Sequence, residues 1–204
     1  MNTRLAFVSL GTAAVLLTAC DSGTPDPRIK MEEETATAPE PAGPQVEALL
    51  AGREDLSTFA SLIDTAGMGP AIEGASSFTL LVPNNDAFEA MEPDVRAFLT
   101  DPANANSLRA ALGYHMLRSP TSAEEITASI EGGAERQADF TTSNSYPLAA
   151  RLTDDGNVEF FNNRSSGQVV EADIQAANGM VHVIDGVLVV PDSRSGEIAA
   201  EGGN

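Results

Sequence analysis

The apolar residues of this chain fall into several rhythms, and each predicts a different element. Residues 5–17 are almost continuously apolar, yet the run is too short to cross a bilayer as a stable helix. Val46, Leu49 and Leu50, then Leu56, Phe59, Ala60, Leu62 and Ile63, recur at the spacing of one helix face and predict two short helices. Asp55 is suited to cap the second, and Gly67 to end it, because glycine tolerates the left-handed conformation that terminates helices. Residues 78–82 form a largely apolar run, interrupted only by Thr79 and closed by Pro83, which reads as a buried strand. Asn84, Asn85 and Asp86 then offer capping side chains for a helix carrying Phe88 and Met91, and Asp86 with Glu89 has capping-box spacing. Helical spacing returns over residues 95–99, 107–112 and 122–130, the last begun by Thr121 or Ser122.

Beyond Gly132 and Gly133 the period shortens. Residues 148–152 and 158–161 flank the turn cluster Asp154-Asp155-Gly156-Asn157, which predicts a hairpin, and residues 169–174 alternate as a half-buried strand does. Asn178-Gly179 is a second turn signal. Residues 180–184 and 187–190 are β-branched runs separated by Asp185-Gly186, so the C-terminal half reads as antiparallel sheet. Helices first and strands later predict an α+β fold.

The N-terminal rhythm describes processing rather than folding. Arg4 precedes the apolar run, which ends in Leu17-Thr18-Ala19-Cys20. This resembles a lipobox, in which the cysteine thiol is alkylated by diacylglycerol and the peptide is cut just before it, so residues 1–19 read as a signal peptide and Cys20 as the lipidated first residue. Residues 20–44 are rich in Pro, Thr, Ala and Glu without apolar periodicity and read as a disordered acidic tether. The ordered domain is expected over 45–192, with a disordered tail at 193–204. Cys20 is the single cysteine, so an internal disulfide and a catalytic thiol are both excluded. The formal net charge of −19 opposes nucleic-acid binding. The expected localisation is the cell envelope, anchored on the extracytoplasmic face of a membrane, and Asp21 after the cysteine resembles an inner-membrane retention signal.

Three segments carry a resemblance: FTLLVPNNDAFE at 78–89, YHML at 114–117 and NGMVHVIDGVL at 178–188. In this order and at these separations they resemble the boxes of the fasciclin domain, with Asn84 where that family commonly has threonine and residues 131–146 matching nothing placeable. The resemblance spans about 46–191. It implies a fasciclin-like α+β fold, with short N-terminal helices packed on a largely antiparallel sheet wedge or sandwich. It also implies an interaction module without shared catalytic activity, whose partner is a protein or polysaccharide.

Candidate chemistry is sparse. His115 and His182 are the only histidines and both lie inside boxes. The resemblance makes Tyr114 and His115 candidate binding residues and implies that the histidine helps to hold the tyrosine region. Asn84, Asp86, Phe88, His182, Asp185 and Gly186 are read as structural motif positions: caps, turns and packing. No catalytic residue, metal site or cofactor is called for, since the chain lacks a Gly-x-Ser-x-Gly elbow, HExxH spacing and a calcium loop. The leading expectation is a lipid-anchored binding or adhesion module. The alternatives are a small-ligand carrier or enzyme of the envelope using His115 and His182, and a structural envelope protein.

Overall fold

The computed structural model describes residues 43–75 and 77–191. The signal peptide, Cys20, nearly all of the tether and the 193–204 tail lie outside the described residues. Short helices open the domain: α1 (Val46–Ala51), a 3-10 turn at Glu54–Leu56, α2 (Ser57–Ala66) and α3 (Gly69–Glu73). Gly67 ends α2 in the left-handed conformation, as its position predicts. The strand β1 (Phe78–Pro83) then runs directly into α4 (Asn85–Glu89). Next come α5 (Pro93–Thr100), α6 (Ala105–Tyr114), the two-residue β2 (Met116–Leu117) and α7 (Ala123–Gly132). The rest is sheet: β3 (Gln137–Thr141), β4 (Pro147–Leu152), β5 (Val158–Phe161), β6 (Ser166–Ala176) and β7 (Gly179–Ile184). No helix among the described residues is long and apolar enough to cross a membrane.

The seven strands lie in the order β2-β1-β7-β6-β5-β4-β3. Every pairing is antiparallel except β1 with β7, which run parallel from Phe78 opposite Gly179 to Pro83 opposite Ile184. The outermost strand β2 curls back to the end of β3, where Leu117 bridges Thr142. The sheet thus approaches a closed barrel, and its two outer edges protect each other.

The largely apolar character of β1, with Thr79 its one polar side chain, follows from its place between two cores. Phe78, Leu80 and Val82 face a cluster built on Phe59, Ile63, Phe88 and Leu108. Leu81 faces a second cluster with Tyr114, Ile126, Ile130 and Phe160. β7 does the same, with Val181 and Val183 on one side and Ile184 on the other. Strands covered on both faces have no polar side, so alternation is lost. Each fully buried large side chain stabilises the fold by roughly 1.5–3 kcal/mol before entropy is counted.

Local signals and structure part at several points. Asp55 does not cap α2: it sits in the 3-10 turn and pairs with Arg53 at 2.7 Å. The cap comes from Asn85, whose Oδ1 accepts the Thr58 N–H at 3.0 Å. Asn84, not Asp86, caps α4 by accepting the Ala87 N–H at 2.8 Å, so the Asp86 and Glu89 box does not form. Ser122 and Glu125 do form a complete capping box on α7. Val187, Leu188 and Val190 are buried and Val189 is half-buried, but the segment is not a strand. Two of its N–H groups go to side chains: Leu188 donates to His115 Nε2 at 3.1 Å and Val189 to Ser165 Oγ at 2.8 Å. Burial without a neighbouring strand gives β-branched composition but no ladder.

Gly186 marks a tight crossing of two segments, because a Cβ there would stand 2.1 Å from the Ser166 carbonyl oxygen, a backbone atom that cannot step aside cheaply. Gly186→Ala is expected to destabilise the domain by about 2–4 kcal/mol. Chemical denaturation would register this as a lowered midpoint at unchanged slope; an unaltered midpoint would contradict the crossing.

Candidate functional site

The three boxes become one unit through backbone pairing. β2 lies on one side of β1 and β7 on the other, so the segments around Tyr114, Phe78 and Met180 are adjacent strands. His115 is the latch among them. Its carbonyl accepts the Leu81 N–H at 2.8 Å, and its ring lies 5.7 Å from the Phe59 ring. Nδ1 lies 2.8 Å from the Ala111 carbonyl, which can only accept, so Nδ1 carries the proton and Nε2 is left to accept from Leu188. Both nitrogens are used. Burial pushes the imidazole down to about 4, against the partial support of the Ala111 carbonyl.

Tyr114 is anchored comparably. Its hydroxyl donates to the Pro147 carbonyl at 3.1 Å and accepts from Asn162 Nδ2 at 3.1 Å, and Asn162 also reaches the Val189 carbonyl at 2.9 Å. Burial raises its pKa. Tyr114 and His115 are 0 % and 2 % exposed, so neither offers atoms to an external partner. The direct-contact role suggested for them by sequence is therefore revised: they hold the segment 187–190 and the β3–β4 turn in place.

His182 uses the opposite tautomer. Nε2 donates to the Thr121 carbonyl at 2.9 Å, while Nδ1 accepts the Asp173 N–H at 3.0 Å; burial lowers its pKa. Asp185 holds the β6–β7 pair together, its Oδ1 accepting the Gln168 N–H at 2.7 Å. Phe88 is core, and Asp86 is exposed on a shallow cleft beside Arg53 and Glu171. Two functional ties were missed by motif reading. Asn85 bridges α4 to α2, as described, and Asn178 accepts the Val46 N–H at 2.9 Å while donating to the Ile72 carbonyl at 2.9 Å. Beside it, Ala177 N–H donates to the Pro44 carbonyl at 2.9 Å. The signal was available only as asparagine in a turn, which also fits a purely local role.

Among the described residues no group of three His, Cys, Asp or Glu side chains is placed to hold a metal. The fold and the boxes define an architectural α+β domain whose motif residues serve its own interior. The chain belongs to the fasciclin-domain family: that family's profile matches residues 54–191. Protein sll1483 of Synechocystis sp. is 30% identical over 145 residues, a match covering 69% of this chain and 71% of that protein. The pig transforming growth factor-beta-induced protein ig-h3 is 29% identical over 167 residues, covering 76% of this chain but only 21% of the relative. A solved FAS1 domain pair from the insect cell adhesion molecule Fasciclin I superposes with a TM-score of 0.63 at 19% identity, over 74% of this chain and 52% of that one. Fasciclin domains are associated with cell adhesion and the binding of extracellular proteins, and the family is generally non-enzymatic.

The buried histidines generate a pH dependence of definite sign. A base whose folded pKa is depressed is neutral in the fold, so its stabilisation is complete above the unfolded value of about 6.5 and is lost as the pH falls towards the folded value. For His115, with a folded pKa of about 4, the loss is on the order of 3 kcal/mol, and His182 adds to it in the same direction. Thermal unfolding followed from pH 7.5 to 4.5 is expected to show a falling midpoint. In His115→Gln the midpoint should start lower and fall less; an equal fall would show that His115 does not carry the effect.

Proposed function

We propose that this chain is a binding or adhesion module of the cell envelope, anchored through lipidated Cys20 and engaging an extracellular or envelope polymer or protein. Family membership carries the reading, because adhesion is what associates this fold across its members. The interior placement of both histidines supports it against the carrier or enzyme alternative, since each ring nitrogen is already committed to a hydrogen bond. A reaction would need a group free to move a proton or attack a substrate. The lipobox-like segment ending at Cys20 supports the anchor, and the proline-rich stretch after it would hold the domain clear of the membrane surface.

Two measurements test the two halves of this reading. Cells displaying the full chain should be retained on envelope fractions, matrix preparations or neighbouring cells several-fold better than cells lacking it. Equal retention on all three surfaces would defeat the adhesion half and favour a structural envelope protein. Intact-mass analysis should find wild type cleaved before Cys20, acylated and membrane-bound, with Cys20→Ser released. A cleaved but unacylated wild type would defeat the anchor.

A further inference from the structure

The described arginines are nearly all committed. Arg53 and Arg151 are ion-paired, and Arg96, Arg109, Arg118 and Arg164 donate to backbone carbonyls. Among the described residues Arg136 is the one arginine whose side chain has no hydrogen bond or ion pair. It is exposed, and it lies in the segment 131–146 that departs from the fasciclin boxes.

The backbone around it is unusual. Glu135 has φ 58° and ψ 20°, and Arg136 has φ 55°, so two consecutive non-glycine residues occupy the left-handed region. Such a residue costs roughly 1–2 kcal/mol where glycine would cost little. Gly133 is required just before them, since a Cβ there would meet the Gln137 carbonyl oxygen at 1.8 Å. Strain retained at an exposed turn, at a residue that makes no internal contact, points outward from the fold.

Arg136 opens onto a cleft of about 490 Å³ between the start of β3 and the β4–β5 turn. Gln137, its neighbour, stands opposite Arg151 in the β3–β4 register, which brings the two arginine positions to adjacent rungs. Arg151 is already oriented: its Nε donates to Glu159 at 2.6 Å, its guanidinium lies 4.5 Å from the centre of the Phe161 ring, and its side chain is 48% exposed. Two guanidiniums, one fixed and one free, suit a planar carboxylate or a sulfate, whose oxygens take paired N–H donors. Gln137 and Thr153 add hydroxyl-compatible hydrogen bonding at the same cleft.

Resting on the binding-module reading above, we propose that this cleft binds the acidic sugar units, uronate or sulfated, of an anionic polysaccharide. The cleft crosses strand ends rather than running along a free strand edge, so it offers no row of backbone groups to an extended polypeptide. Glu135 and Asp154 share it, so an acidic group must meet the two arginines individually rather than the broad positive field that double-stranded nucleic acid requires. The overall negative charge of the protein opposes the ligand only locally, because screening acts over about 8 Å at physiological ionic strength.

The test uses the full chain on immobilised polygalacturonate, dextran sulfate, neutral dextran and polyglutamate. Binding to polygalacturonate, dextran sulfate or both is expected, with the stronger naming the acidic group, and none to dextran. Arg136→Gln should weaken that binding at least about tenfold at an unchanged unfolding midpoint. Arg136→Gly should lose binding equally while raising the midpoint, because it relieves the left-handed residue. Absence of binding to both anionic polysaccharides, equal binding by Arg136→Gln, or equal binding to polyglutamate would each overturn the proposal. Retention of cells displaying the chain, scored in parallel, separates this failure from failure of the adhesion reading: adhesion without glycan binding defeats the cleft alone.

Discussion

The parallel pairing of β1 with β7 is the constraint on which the domain depends. Its rungs join residues about a hundred positions apart, and closing such a loop costs on the order of 4 kcal/mol of chain entropy beyond that of ordering each strand. Most helices of the domain lie in sequence between the two strands. The compensation lies in burial on both faces: the same strands supply side chains to two separate cores. An apolar interior on each side also strengthens every backbone hydrogen bond between them.

Once the central strands are paired, polar side chains decide how the remainder docks. Asn85, Asn178, His115 and His182 each join segments distant in sequence, and each does so by meeting backbone groups that no strand or helix satisfies. A buried backbone N–H left without a partner costs about 1–3 kcal/mol, so these side chains act chiefly by preventing a loss. The opposite tautomers of the two histidines show the same logic. Each ring adopts the proton placement that its carbonyl partner requires, and burial keeps both rings neutral.

What the sequence disclosed was local. The strand at 78–82, the stop at Gly67, a cap among residues 84–86 and a helix start at Thr121 or Ser122 are each settled within a few residues, by sterics and nearby hydrogen bonds. Pairing was legible across a tight turn, as for β4 and β5, but not between strands distant in sequence, because an apolar run reports burial and is silent about which strand lies beside it. Residues 187–190 were misread for that reason, and β2 and β3 went unseen, being very short in one case and polar on alternate positions in the other. Motif resemblance brought attention to Tyr114 and His115, yet burial could not be told from contact. Arg136 carried no pattern beyond following Gly132 and Gly133, since a residue that serves a partner need not fit the periodicity of the fold.

The ties at Asn178 and Ala177 bear on how the molecule would respond to pulling. Tension arriving through the chain at Pro44 is passed to the β6–β7 turn by two short hydrogen bonds before α1 can unwind, and from there into β7 and its parallel partner. The first elements to feel the force are therefore the most deeply buried strands rather than the exposed helices. Endurance under tension is governed by the barrier to unfolding rather than by equilibrium stability, and this route sets that barrier at the centre of the sheet.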